Sequence, residues 1–408
     1  MASDSLSGVA VKAIGRWRKR LVWLGVSTAA LVGVGAWLFY FVATPRLGSQ
    51  NEMEGLAAPS GLDWDHPSDV DSLISVLATA YAERPANAGI SIGVTRNGRR
   101  HVVSRGVKSL DDPELLVDDE TLFEIGSVTK TFTGVALAKA VLDGRTSLGQ
   151  PIGDLLPTSI AFPEHVRSLS VGALATHSSG LPRNPPSLSL FSEIFRKNPV
   201  GRVTEQQAFE SLARVPDQGM SSAEFGYSNF GFMLLGRLVE EATGLSYARL
   251  IEERVAGQLG MDHTWVDPPA SELSQLAVGH RVGRPVEHWY DVPLPGAQGI
   301  VSSVPDLLTY LEAHLMPDAT PLRGVVEFAM QPRLRASETV EVALGWNVYT
   351  VPGVPRIVYH HGSTMGFRSY AGMAPEIGLG VVVLGNSRDP TLSAIGRLVM
   401  RTLTGGEG

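Results

Sequence analysis

Three short clusters hold most of the chemistry this chain could perform. Ser127 and Lys130 form its only Ser-x-x-Lys, in a chain with six lysines. A serine hydroxyl is a weak nucleophile near neutral pH until an adjacent base takes its proton. Residues three apart on a helix share a face, so Lys130 can reach back to Ser127. Segment 131–143 carries Val135, Leu137, Ala138, Val141 and Leu142 with Gly144 behind it, which predicts a helix closed by a glycine cap. Ser127 then sits at the positive end of that helix, where a developing oxyanion is favoured. Burial beside that end pushes the lysine towards its neutral, proton-accepting form. A capped helix start followed by a surface lysine would use the same residues.

Tyr227-Ser228-Asn229 is the only Tyr-x-Asn, and His360-His361-Gly362 the only His-x-Gly. The Tyr227 hydroxyl can relay a proton between the serine oxygen and a leaving group. Asn229 can present its amide to a substrate amide or carbonyl. The same residues also read as a polar turn opening a helix over 230–243, with Leu234, Leu235, Leu238 and Val239 on one side and Gly244 at its end. His360 ends the apolar run Ile357–His360, a place where a histidine is usually structural, and Gly362 lets the backbone approach a ligand closely. His177, in a Ser/Gly/Pro loop, reads as a hydrogen-bonded strut. No histidine–carboxylate cluster has metal spacing, and His360 and His361 would point to opposite faces of a strand. With no cysteine, disulfides, thiol catalysis and cysteine metal sites are excluded. Neither a metal nor a cofactor is expected, and the absence of Gly-x-Ser-x-Gly disfavours an α/β-hydrolase.

The order Ser127-x-x-Lys130, Tyr227-x-Asn229, His360-x-Gly362, at separations of about a hundred residues or more, resembles the signature of the serine β-lactamase and penicillin-binding-protein superfamily. Phe123-Glu124-Ile125-Gly126, Thr131-Phe132-Thr133, Leu174–Pro182, Gly257–Met261, Gly299–Asp306 and Gly362–Phe367 extend the likeness, which runs from about residue 70 to about residue 400. Tyr227–Ile251 is similar to the class C β-lactamase and serine D-peptidase branch. The resemblance implies Ser127, Lys130 and Tyr227 as catalytic residues and Asn229, His360, Gly362 and Ser363 as substrate-binding ones. It also implies an oxyanion hole built from the N–H groups of Ser127 and Ser363. Histidine at 360, where many β-lactamases carry lysine, looks more like the D-peptidase, esterase-like and mitochondrial-filament members. With an ordinary histidine pKa near 6.5, anionic ligands should bind more weakly as pH rises through that value, with Arg368 as a second cation.

Hydrophobic spacing must supply the frame. Val70, Leu73, Ile74, Leu77 and Tyr81 predict an amphipathic helix. Runs 90–95 and 101–106 flank an Asn97-Gly98 hairpin turn. Residues from about 120 to 290 read as helix and loop, 340–350, 357–361, 369–374 and 379–384 as strands, and 392–403 as a closing helix. These elements make one α+β domain over 69–405, an antiparallel sheet flanked by helices with an inserted helical subdomain and a site in the cleft between, which agrees with the β-lactamase-like fold that the resemblance implies.

Leu21–Ala43 is 23 residues without a charge, preceded by Lys12, Arg16, Arg18, Lys19 and Arg20. At about 1.5 Å per helical residue that run spans a bilayer core of roughly 30 Å. The basic flank 1–20 keeps the N-terminus cytoplasmic. A cleaved signal would have a shorter apolar core and an Ala-x-Ala site. Residues 21–43 are thus expected to be an uncleaved transmembrane helix, and 44–68 a tether. Removing the first twenty residues, five basic and one acidic, takes the net charge from −7 to −11. So acidic a remainder argues against nucleic-acid binding.

The expected protein is a membrane-anchored, extracytoplasmic serine hydrolase working through an acyl-enzyme. Its expected substrates are small: a D-amino-acid-containing peptide first, a β-lactam or an ester otherwise. A non-catalytic binder of penicillins or wall fragments, or a polymerising scaffold, is the other class, and intact Ser127, Lys130 and Tyr227 count against it. Oligomeric state is not legible in the sequence.

Overall fold

The structure, a computed structural model, describes residues 67–188, 203–217, 224–290 and 292–405. The basic segment, the apolar run 21–43 and nearly all of the tether lie outside the described residues. Among those described, no helix is long and apolar enough to cross a membrane.

One antiparallel sheet of nine strands organises the described chain. In chain order they are β1 (Gly89–Arg96), β2 (Arg99–Ser109), β3 (Asp112–Leu116), β4 (Leu334–Arg335), β5 (Val340–Val342), β6 (Asn347–Tyr349), β7 (Ile357–Ser363), β8 (Arg368–Ala374) and β9 (Leu379–Gly385). Across the sheet the order is β3-β2-β1-β9-β8-β7-β6-β5-β4, so β1 pairs with the last strand, Ile90 opposite Gly385. The β1–β2 hairpin turns at Asn97-Gly98, both with positive φ (52° and 80°), as the dipeptide predicts.

Side chains alternate across the sheet and sort two cores. Ile90, Ile92 and Val94 of β1, Val381 and Val383 of β9 and Tyr370 of β8 meet α1 (Pro67–Ala82) and the closing helix at Thr391–Leu403. The predicted stripe of α1, Val70, Leu73, Ile74, Leu77 and Tyr81, is buried there. Val382, Leu384, Ala371 and Met373 face the other core with α2 (Thr129–Leu142), α3 (Asn229–Thr243) and α4 (Val304–Leu315). α2 is buried on nearly every side, and Phe132 stacks on Tyr310 with ring centroids 4.0 Å apart. A fully buried side chain of this size contributes roughly 1.5–3 kcal/mol. The helix that carries Lys130 is therefore held by packing rather than by intrinsic propensity.

Two expectations need correction in detail. Segment 340–350 is not one strand but the β5–β6 hairpin, reversing where Ala343 N–H donates to Trp346 O at 2.9 Å. Trp346 is fully buried and stacks towards Tyr310, so its packing overrides the apolar run. α2 also begins at Thr129, ahead of the expected 131, because a 3-10 turn at Gly126–Val128 feeds it.

Candidate active site

Ser127 lies in that 3-10 turn, half-buried, with β7 against it. Both sides of this contact are glycine because the backbones nearly touch. A Cβ on Gly126 (φ +51°) would sit 2.7 Å from Ser363 N, and one on Gly362 would sit 2.1 Å from Ile125 O and 2.9 Å from Ser127 N. No side chain fits at either position. Ser369 Oγ donates to Ile125 O at 2.7 Å and ties β8 to the same turn. The backbones of 126–127 and 362–363 therefore form one wall, a geometry that can offer N–H groups to an oxyanion.

Lys130, in the first turn of α2, has no exposed surface. Its Nζ lies 2.9 Å from Ser127 Oγ and donates to Ala297 O at 2.8 Å. Burial pushes its pKa below the usual lysine value, against the pull of Tyr227 and with help from the Arg183 charge. A neutral amine beside a serine hydroxyl can take its proton.

Tyr227 is delivered from the other wall, just ahead of α3. Its hydroxyl donates to Ser127 Oγ at 3.1 Å, and Lys130 Nζ lies 5.2 Å from its ring centroid. Burial would raise the phenol pKa, but Lys130, the Ser127 hydrogen bond and Arg183 together hold it below the ordinary value. Ser228 caps α3, accepting from Gly231 N–H at 2.9 Å while its hydroxyl donates to Pro182 O at 2.7 Å. His177 is the strut that the loop composition suggests. Its Nδ1 accepts from Ser228 N–H at 3.1 Å, its ring lies 4.4 Å from that of Tyr227, and burial followed by the Lys130 and Arg183 charges pulls its pKa to about 3.

Asn229 opens α3, its N–H donating to Arg183 O at 2.8 Å and its Nδ2 to Asn184 Oδ1 at 3.0 Å. Its Oδ1 is buried without a hydrogen-bond partner among the described residues.

His360 departs from the sequence expectation. It is 4 % exposed, and burial first, then the neighbouring His361 and Lys130, drives its pKa well below 6.5. Its Nδ1 lies 2.8 Å from His361 O, and because a carbonyl only accepts, Nδ1 carries the proton and Nε2 the lone pair. Charge-based carboxylate capture near pH 6.5 is therefore corrected to a neutral acceptor. Arg368 is corrected too: Ser369 points at the Ser127 turn, so on the alternating strand Arg368 shares the opposite face with Tyr370. His361 also faces away from the site, with its pKa near 4 through burial and the Arg368 and Arg397 charges.

A pH prediction follows. With His177, His360 and His361 all neutral, binding of an anionic inhibitor should show no histidine step between about pH 5.5 and 8. A titration of the dissociation constant checks this. Weakening through pH 6.5 that His360→Lys abolished would return the charge to His360.

The sequence reading missed Ala297, Arg183 and Asn184. Ala297 acts through its carbonyl, so its residue type carries no signal. Arg183-Asn184 directly follows the Leu174–Pro182 phrase, which was the available clue. Among the described residues, no group of His, Asp and Glu is arranged to hold a metal ion.

The beta-lactamase family model matches residues 77–402. A beta-lactamase of Pseudomonas fluorescens is 26% identical over 80% of this chain and 96% of its own length. The D-alanyl-D-alanine-carboxypeptidase/endopeptidase AmpH of Escherichia coli K12 is 25% identical over 65% of this chain and 71% of its own. A beta-lactamase/D-alanine carboxypeptidase structure from Pseudomonas syringae, 23% identical, shares the fold with a TM-score of 0.72 over 83% of this chain and 99% of that one. With a match across most of its length, and serine, lysine and tyrosine brought to one point beside an antiparallel sheet, the chain belongs to the beta-lactamase family of serine hydrolases.

Proposed function

We propose that the chain hydrolyses D-amino-acid-containing peptides through an acyl-enzyme on Ser127. The observation that carries this reading is a hydroxyl flanked by Lys130 Nζ at 2.9 Å and Tyr227 OH at 3.1 Å. Neutral Lys130 takes the Ser127 proton as Oγ bonds to the substrate carbonyl carbon. The N–H groups of Ser127 and Ser363 hold the resulting oxyanion. As the carbon–nitrogen bond breaks, Tyr227 gives its hydroxyl proton to the departing amine and is reprotonated by Lys130, which returns to the neutral amine. Water then adds to the ester and releases the acid, returning a proton to Ser127. Asn229 receives a substrate amide, while His360 and Gly362 line the opposite wall.

The AmpH relative supports the peptide substrate. A neutral His360 supports a second reading, an esterase on the same residues, and the beta-lactamase relatives support a lactam. The test is purified full-length protein assayed on a D-Ala-D-Ala peptide, nitrocefin and a p-nitrophenyl ester. The highest kcat/KM should fall on the peptide; a higher value on nitrocefin would replace this reading with a β-lactamase.

We also propose a single-pass anchor at 21–43 with the hydrolase domain outside the cytoplasm, on the strength of the basic flank and the uncharged run. A reporter active only outside the cytoplasm, fused after Gly408, should be active. Mature protein beginning near residue 45 would instead indicate a cleaved signal.

A further inference from the structure

We infer that Arg183 is the substrate-carboxylate receptor of this site, a specificity-determining residue standing on the wall opposite His360. The inference rests on the acyl-enzyme reading and supplies what the strand position lacks. His360 offers a lone pair at Nε2, which repels a carboxylate, and Arg368 lies on the far face of the sheet. Arg183 is exposed, and its guanidinium carbon lies 5.0 Å from the Tyr227 ring centroid. The Tyr227 hydroxyl in turn touches Ser127 Oγ at 3.1 Å, so the guanidinium flanks the reacting centre.

Its placement is built rather than incidental. The Arg183 carbonyl accepts from the N–H groups of Asn229 and Phe230, at 2.8 and 3.2 Å, which pins its backbone to the first turn of α3. The next residue, Asn184, holds the Asn229 amide. Arg183 thus sits beside the residue proposed to receive the substrate amide, with its side chain over Tyr227. No carboxylate among the described residues forms an ion pair with it. Its charge also reaches Lys130, His177 and Tyr227, which marks it as the guanidinium whose field enters the site. A planar guanidinium resting on an aromatic face keeps its N–H fork for bidentate contact with a carboxylate.

The carboxylate could belong to the leaving D-residue or to the acyl side of the substrate, and two matched pairs separate these sources. One pair is a D-Ala-D-Ala peptide with a free C-terminus and its C-terminal amide. The other is a p-nitrophenyl ester with a carboxylate-ended acyl chain and its neutral methyl-ended counterpart. Arg183→Gln should lower kcat/KM for the carboxylate member of one pair by about 10- to 100-fold more than for its neutral partner, mainly through KM. The pair that responds identifies the source. Arg183→Lys, which keeps the charge but loses the fork, should retain part of the preference. Equal losses on charged and neutral members, or none on either, would overturn the assignment while Ser127-dependent turnover of the neutral ester still upheld the acyl-enzyme. Absence of any Ser127-dependent turnover would overturn that reaction itself, and this assignment with it.

Discussion

Ser127→Ala should abolish hydrolysis of peptide, lactam and ester alike, with kcat falling by roughly 10⁴- to 10⁶-fold. The substitution deletes the one oxygen that both Lys130 and Tyr227 touch. It keeps the backbone N–H that faces β7 and introduces no bulk, because alanine is smaller than serine. Reversible ligand binding should therefore persist while turnover is lost. Steady-state kinetics paired with equilibrium binding to the same inhibitor checks both halves. Retained turnover with retained binding would place the nucleophile elsewhere.

Lys130→Met should lower the acylation rate by about 10²- to 10⁴-fold, the usual worth of general-base help. Methionine is unbranched and fills the buried channel without an unpaired charge. The pH profile separates this role from packing. Burial lowers the folded pKa of Lys130, so the neutral, active amine persists to lower pH than an ordinary lysine would allow. In the wild type, acylation falls as pH drops through that depressed pKa and the amine becomes protonated. In the methionine variant this acid limb should vanish along with most of the rate. Stopped-flow acylation between about pH 5 and 10 reads both effects. A variant with a reduced rate but an unchanged acid limb would assign the proton transfer to another group, Tyr227 first.

Much of this architecture was legible where side-chain type and local geometry coincide. Ser127 and Lys130 meet because three residues separate them at the entry to a helix. The Asn97-Gly98 turn formed because both residues tolerate positive φ, and the α1 stripe is buried because its spacing matches a helical face. The misses came from properties that spacing does not encode. The charge of His360 depends on how completely β7 is covered, and its tautomer on a carbonyl of the next residue. The direction of Arg368 depends on strand register, which moves every side chain to the other face with a one-residue shift. The β5–β6 hairpin exists because Trp346 fills a core position contributed by distant helices. Ala297 enters through its backbone oxygen, and any residue there has one.

Where the acyl bond forms is open to a single direct reading. The full-length protein is reacted with a slowly released penicillin or a fluorophosphonate, denatured, digested and mapped by mass spectrometry. One adduct of the probe's mass is expected on Ser127 and none in the Ser127→Ala protein. An adduct on any other residue, or tight probe binding with no covalent adduct, would contradict it.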